Sequence, residues 1–278
     1  MLPSIRPHRL VAAVLALGLL LAATGSAAAM QPDRDPLAAA ARPGGGGQGG
    51  GTKTPHGYDI SYPQCGSTYP SNAAFAIVGV NGGRVFSANP CLASQITWGG
   101  GTAAELYANT GNPGPALSTH WPTGQTTPRQ CEATNADTAD CAYDYGWNAA
   151  QDSMNTAAAA YAQLGLSASP AATPWWLDVE TMNSWRTDVS LNVAALQGAV
   201  AYLQGAGVTK LGFYSTTVQW GTITGGSKVF SPMPVWGAGS SSEKAALNLC
   251  RSTTTSFTGG PLALVQYVQG GQDVDIRC

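Results

Sequence analysis

Pro174-Trp175-Trp176-Leu177-Asp178-Val179-Glu180 is the stretch whose reading decides the fold. An apolar run of this length, opened by a proline and closed by acids, predicts a buried strand. Side chains alternate across a strand, so Trp175, Leu177 and Val179 share one face and Trp176, Asp178 and Glu180 the other. Both acids lie at the carboxyl end and reach the same side of a cleft. Burial and mutual repulsion drive such a pair apart in pKa, leaving a neutral acid beside an anion. Cleavage of a glycosidic bond is one chemistry that uses this arrangement. An isolated Asp-x-Glu is also read as a strand end whose acids are solvated or cap the next helix, and the rest of the chain has to choose.

Working outward, residues 145–164 carry Trp147, Met154, Ala158, Tyr161 and Leu164 near helical spacing, and Gly165 stops the run. On the other side, Asp188 or Ser190 caps a helix over 191–205 with Val193, Leu196, Val200 and Leu203 as its apolar stripe. Strands are predicted over 56–62, 73–80, 103–109, 210–215, 233–238, 262–267 and 273–277, with a short helix over 90–98 and a turn through Trp220. Residues 73–80 are apolar throughout, as a parallel strand covered on both faces should be. Residues 110–144 are long and rich in Pro, Thr and Gly, which predicts a functional loop. Strand and helix alternate, so a parallel α/β fold is favoured over a sandwich.

The first fifty residues read differently. Arg6 and Arg9 precede an apolar run over 10–23 and then Ser26-Ala-Ala-Ala29, the layout of a signal peptide over 1–29. Residues 30–54 are dominated by Gly and Ala and predict a disordered linker, leaving 55–278 as one folded domain. No later run is long and apolar enough to span a bilayer, so the expected product is secreted, or bound at the cell wall, with no membrane contact after cleavage. Six cysteines behind a signal peptide predict disulfides, and sequential pairing closes local loops: Cys65–Cys91, Cys131–Cys141 and Cys250–Cys278. No cysteine or histidine pair has zinc-ligand spacing, so no metal or other cofactor is expected. Only 10% of residues are charged, and from Lys53 onward 9 Lys and Arg face 13 Asp and Glu, a net of −4. The absence of a basic stripe argues against nucleic acid. Eight Trp and ten Tyr on a sparsely charged chain suit a neutral, hydroxyl-rich ligand.

Alternation puts Asp59, Asp178, Glu180 and Asp275 near the ends of separate strands. A doubly wound sheet would spread them along an edge, whereas a closed barrel gathers them on one rim, where the active sites of such barrels sit. The expected architecture is therefore a single (β/α)8 TIM-like barrel, with room for degenerate later βα units. Gly57-Tyr-Asp-Ile-Ser61, Trp176-Leu-Asp-Val-Glu180, Gly212-Phe-Tyr-Ser215, Val235-Trp-Gly-Ala238 and Val265-Gln-Tyr267 with Asp273-Val-Asp275 occur in this order. That ordered set resembles glycoside hydrolase family 25, the lysozyme-like N-acetylmuramidases, and related exported barrel domains. The resemblance implies hydrolysis of a β-1,4 bond in cell-wall peptidoglycan by a paired-carboxylate mechanism, without metal or cofactor; a monomer is expected. It makes Glu180 the general acid and Asp178 the partner that orients or stabilises a substrate-derived intermediate. Asp59 and Asp275 are further rim carboxylates, with Asp273 on the same strand face as Asp275. Tyr214, Trp236 and Gln266 match positions around the sugar, Tyr214 and Trp236 being read equally as barrel filling. The chain departs from the family at Arg277, where an Asn is frequent, at Gly239 and Ser240, where a Tyr is usual, and in its Cys131/Cys141 loop. A glycosidase acting on another polysaccharide, or a barrel that only binds glycan, are the alternatives.

Overall fold

Eight strands close into a barrel in chain order in the computed structural model, which describes residues 54–252 and 256–278. The expected signal peptide and all but Thr54 of the expected linker lie outside the described residues. The strands are β1 (His56–Ile60), β2 (Phe75–Gly79), β3 (Glu105–Asn109), β4 (Trp175–Asp178), β5 (Leu211–Ser215), β6 (Val235–Ser240), β7 (Leu262–Gln269) and β8 (Gln272–Arg277). From β1 to β7 each strand runs parallel to the next. β8 is antiparallel to both β7 and β1. Among the described residues, five helices cover the outside: α1 (Leu92–Trp98), α2 (Ala139–Gln163), α3 (Val189–Gly205), α4 (Thr217–Thr224) and α5 (Glu243–Cys250).

The repeat is irregular at both ends of the domain. β1 reaches β2 through a loop with a single 3-10 turn at Tyr62–Gln64, and β7 reaches β8 through a hairpin. That hairpin turns on Gly270 and Gly271, both left-handed at φ 61° and 80°, which is a conformation glycine adopts without steric cost. Three local expectations change. α2 begins at Ala139, because Thr138 caps it by accepting from the Cys141 N–H, and the long loop is correspondingly shorter than predicted. The turn through Trp220 is a full helix, α4, and α5 was not foreseen.

Side-chain alternation on β4 splits the core as expected. Trp175, Leu177 and Val179 face outward into a layer with Leu196, Phe213 and Trp220 beneath the helices. Trp175 is fully buried and donates its indole N–H to the Pro170 carbonyl at 2.9 Å. Removing an aromatic side chain of this size from water contributes about 4–6 kcal/mol as an upper figure. Trp176 points inward with Ile77, Trp236 and Leu264 and fills the barrel. It needs Gly212 opposite, where a Cβ would lie 2.6 Å from the Pro234 carbonyl and overlap the Trp176 ring. Outside, α2 and α3 cross in backbone contact, since a Cβ at Gly146 would overlap the Ala195 carbonyl and one at Gly198 the Tyr143 carbonyl.

The amino-terminal end of the barrel is plugged. Glu105 is buried, accepts from the Trp176 indole at 2.7 Å and forms an ion pair with Arg277, whose guanidinium lies 4.1 Å above the Phe75 ring. Arg277 thus acts at the end away from the acids. The disulfides are Cys65–Cys91, Cys131–Cys141 and Cys250–Cys278, the sequential pairing. Among the described residues no helix is long and apolar enough to cross a membrane.

Candidate active site

Parallel strands deliver their carboxyl ends to one mouth, and β8, running the other way, delivers its beginning there. Asp59 lies near the end of β1, Asp178 closes β4, and Glu180 follows two residues on. On β8, Asp275 is level with Gln266 of β7 and Gly57 of β1, while Asp273 is one inward position nearer the mouth, opposite Val268. The Tyr214 hydroxyl is held above the usual phenol range by burial and then by the charges of Glu180, Asp59, Asp178 and Asp273. One phenol therefore reports carboxylates from three strands and the loop after β4. Tyr107, raised in the same way, feels Asp59, Asp178 and Glu180.

The acids form two pairs. The inner pair is Asp59 and Asp275, the latter with no solvent exposure. Gln266 donates from Nε2 to Asp59 Oδ2 at 2.8 Å and accepts at Oε1 from the Tyr214 hydroxyl at 2.8 Å. The Trp236 indole donates to Asp275 Oδ1 at 2.8 Å. Burial lifts both carboxyls first, and on Asp59 the charges of Asp275 and Asp273 add to it; Asp275 is pushed up to about 8. Two carboxyl groups this close cannot both ionise cheaply, so they hold a proton between them at neutral pH.

The outer pair is Asp178 and Glu180. Asp178 is 3% exposed and accepts at Oδ2 from the Asn109 side-chain amide. Burial and then the charge of Glu180 hold it well above the usual carboxylate range. Glu180 is only partly buried, and its carboxyl is raised by burial against the lowering effect of hydrogen bonds from Gln219 and Asp178. Gln219 is oriented from its other end, its Oε1 accepting from the Thr181 N–H at 2.6 Å. The backbone is fixed as well: Thr110 Oγ1 donates to the Asp178 carbonyl at 2.6 Å and the Trp185 indole to the Glu180 carbonyl at 2.8 Å. Asp275 Oδ2 and Asp178 Oδ1 are buried without an amide or hydroxyl donor. In each case the neighbouring carboxyl is the remaining partner, which is where a shared proton belongs.

All eight residues singled out from the sequence thus belong to one end of the barrel interior. Asp178, Glu180 and Asp273 approach the opening; Asp59, Gln266 and Tyr214 lie just beneath. Trp236 is only 1% exposed, packed against Tyr214 at 4.4 Å and against Tyr107 and Trp176 at 6.0 Å, so it is a floor under the acids. Sequence reading missed Asn109, Tyr107 and Gln219. The first two share the inward parity of Glu105 on β3, a signal that was present; Gln219 sits on the unforeseen α4.

Known proteins resemble this chain in sequence over part of its length and in fold over most of it. A family model described as lysozyme-like protein 1 matches residues 134–247, a span that contains Asp178, Glu180, Tyr214 and Trp236. A curated protein named probable GH family 25 lysozyme 4, from Dictyostelium discoideum, is 40% identical over 61 residues, 22% of this chain and 28% of that protein. The match thus spans little more than a quarter of that relative's length. A family GH25 lysozyme from Aspergillus fumigatus has the same fold with a TM-score of 0.54, covering 81% of this chain and 95% of that one at 18% identity. Over these spans the chain is similar to the family 25 lysozymes. The modular autolysin LytC from Streptococcus pneumoniae, solved with a synthetic peptidoglycan ligand, is similar over 81% of this chain and 47% of its own, with a TM-score of 0.50 and 14% identity. At these identities the barrel fold is what is shared.

Proposed function

We propose that this chain is a glycoside hydrolase of the lysozyme type, which acts outside the cell that makes it and cleaves β-1,4 bonds of peptidoglycan. The observation that carries this reading is the outer pair: two carboxyl groups on one strand end, one sealed and one reachable, holding a proton in a mouth floored by aromatic rings. Glu180 is the member with a route to solvent, so it is the one a glycosidic oxygen can approach. Burial raises its carboxyl above the usual carboxylate range, and a glycan seated above it excludes water and raises it further. Protonating the leaving oxygen from Glu180 leaves negative charge on the pair, where the amides of Asn109 and Gln219 are already placed to receive it. Asp178, beneath, orients the substrate group that supports the positive charge developing on the sugar. Asp59, Asp273 and Asp275 make the mouth acidic, which favours that cationic transition state. The export-like amino terminus and the three disulfides support a site of action outside the cell.

The test is Glu180→Gln. It should abolish release of new reducing ends from purified cell walls, with circular dichroism and thermal midpoint unchanged. A folded variant that still lyses walls at the parent rate sinks the proposal.

A further inference from the structure

Beside the mouth, and separate from the paired acids, is a cavity of about 340 Å³. Three loops wall it: residues 84–86 after β2, residues 110–120 after β3, and Asn183 with Ser184 after β4. Its lining is tied to the segments that hold the outer acids. Thr110 follows Asn109, which holds Asp178, and the Asn183 N–H bonds the Glu180 carbonyl at 3.1 Å. The walls are braced. Phe86 stacks flat on His120 at 4.2 Å and sets its edge against Tyr145 at 5.4 Å; Trp121 stacks on Tyr145 at 5.0 Å. Behind them, Cys131–Cys141 ties the β3 loop to the first turn of α2. Phe86 is left-handed at φ 53°, a conformation that a bulky residue keeps only where its surroundings enforce it.

The lining is mixed. Arg84 is exposed and, among the described residues, enters none of the ion pairs. Ser118, Asn183 and Ser184 offer hydrogen bonds, and Val85 and Leu117 offer small apolar surfaces. An uncharged sugar has no use for an unpaired guanidinium, whereas a short peptide with a free carboxylate reaches all three kinds of group at once. The acids of the mouth repel such a carboxylate, and Arg84 attracts it to one side. The size sits at the lower end of the ~300–1,000 Å³ range of small-molecule sites. We propose that this side cavity is a subsite for a carboxylate-bearing peptide carried on the glycan, so that the chain selects peptide-substituted strands. The proposal rests on the glycan reading of the mouth.

The experiment compares two substrates with the full chain: wall glycan carrying its peptides, and the same glycan stripped of them by an amidase, which leaves only a short lactyl carboxylate on the sugar. We expect kcat/KM to favour the substituted glycan by about tenfold, the scale of one charge-assisted contact. Arg84→Glu should erase that preference, and Arg84→Lys should retain most of it. Equal kcat/KM on both glycans in the parent chain, or an intact preference in Arg84→Glu, overturns the subsite while leaving the hydrolase reading standing. Should neither glycan yield reducing ends, the hydrolase reading fails and equilibrium binding decides the subsite. A soluble disaccharide-peptide must then bind more tightly than the bare disaccharide, and Arg84→Glu must remove the difference; equal binding overturns it.

Discussion

The two carboxyl pairs in this barrel have the same chemistry and different surroundings. Asp59 and Asp275 are sealed, bonded to Gln266 and Trp236, with Asp275 fully out of contact with water. Asp178 and Glu180 share the same burial-driven rise, but Glu180 is partly open and Gln219 reaches it from a helix outside the barrel. Exposure of one member is what separates a pair able to pass a proton to a ligand from one that can only shape the field around it.

Replacing Asp178 in one pair and Asp275 in the other tests that distinction most severely. Asp178→Asn should reduce kcat by about 10²-fold or more, the usual scale for losing a positioned acid–base partner. Asp275→Asn should keep kcat within about tenfold of the parent, because the pair it belongs to has no path to the substrate. Equal losses in the two variants, measured by reducing-end release, would erase the contrast. Next in size is the effect of Asp275 on stability. A carboxyl in the unfolded chain titrates near 3.9, whereas Asp275 is held at about 8 in the folded barrel. Between those values the folded state binds the proton and the unfolded state does not, so stability falls as pH rises from about 4 to about 8 and levels off above. Denaturant midpoints at several pH values should show this slope in the parent and a shallower one in Asp275→Asn. Trp236→Phe keeps most of the packing but removes the indole donor to Asp275, which should cost about 1–3 kcal/mol of stability at neutral pH. The smallest expected change is from Tyr214→Phe. It loses a hydrogen bond to Gln266 worth about 1 kcal/mol, with a modest rise in KM.

Much of this was legible in the sequence because parallel strands buried on both faces read as apolar runs, and 73–80 and 174–180 do so plainly. Alternation on β4 then assigned Trp175 to the helix layer and Trp176, Asp178 and Glu180 to the interior. What the sequence hid were features set by packing. α4 is Thr-Val-Gln-Trp-Gly-Thr-Ile-Thr, with β-branched residues and a glycine in place of good helix formers. It is helical because Trp220 and Ile223 are buried against the barrel. Gln219 went unseen with it. Asn109 and Tyr107 lay in a correctly predicted strand, but their proximity to Asp178 depends on the register of β3 against β4, which pairs Asn109 with Asp178. Register is a property of two strands, and neither carries it alone. The direction of β8 was equally hidden, and with it the reason Asp273, rather than Asp275, stands closer to the mouth.

The antiparallel last strand also governs when the site comes into being. The ring closes between β1 and β8, and the Gln266–Asp59 contact spans 207 positions of the chain. A growing polypeptide can lay down β1 to β7 and still lack both Asp273 and Asp275, with its first strand unpaired on one edge. Assembly of the acidic mouth is thus deferred until nearly all of the barrel has been synthesised, so an emerging fragment has no finished cleft.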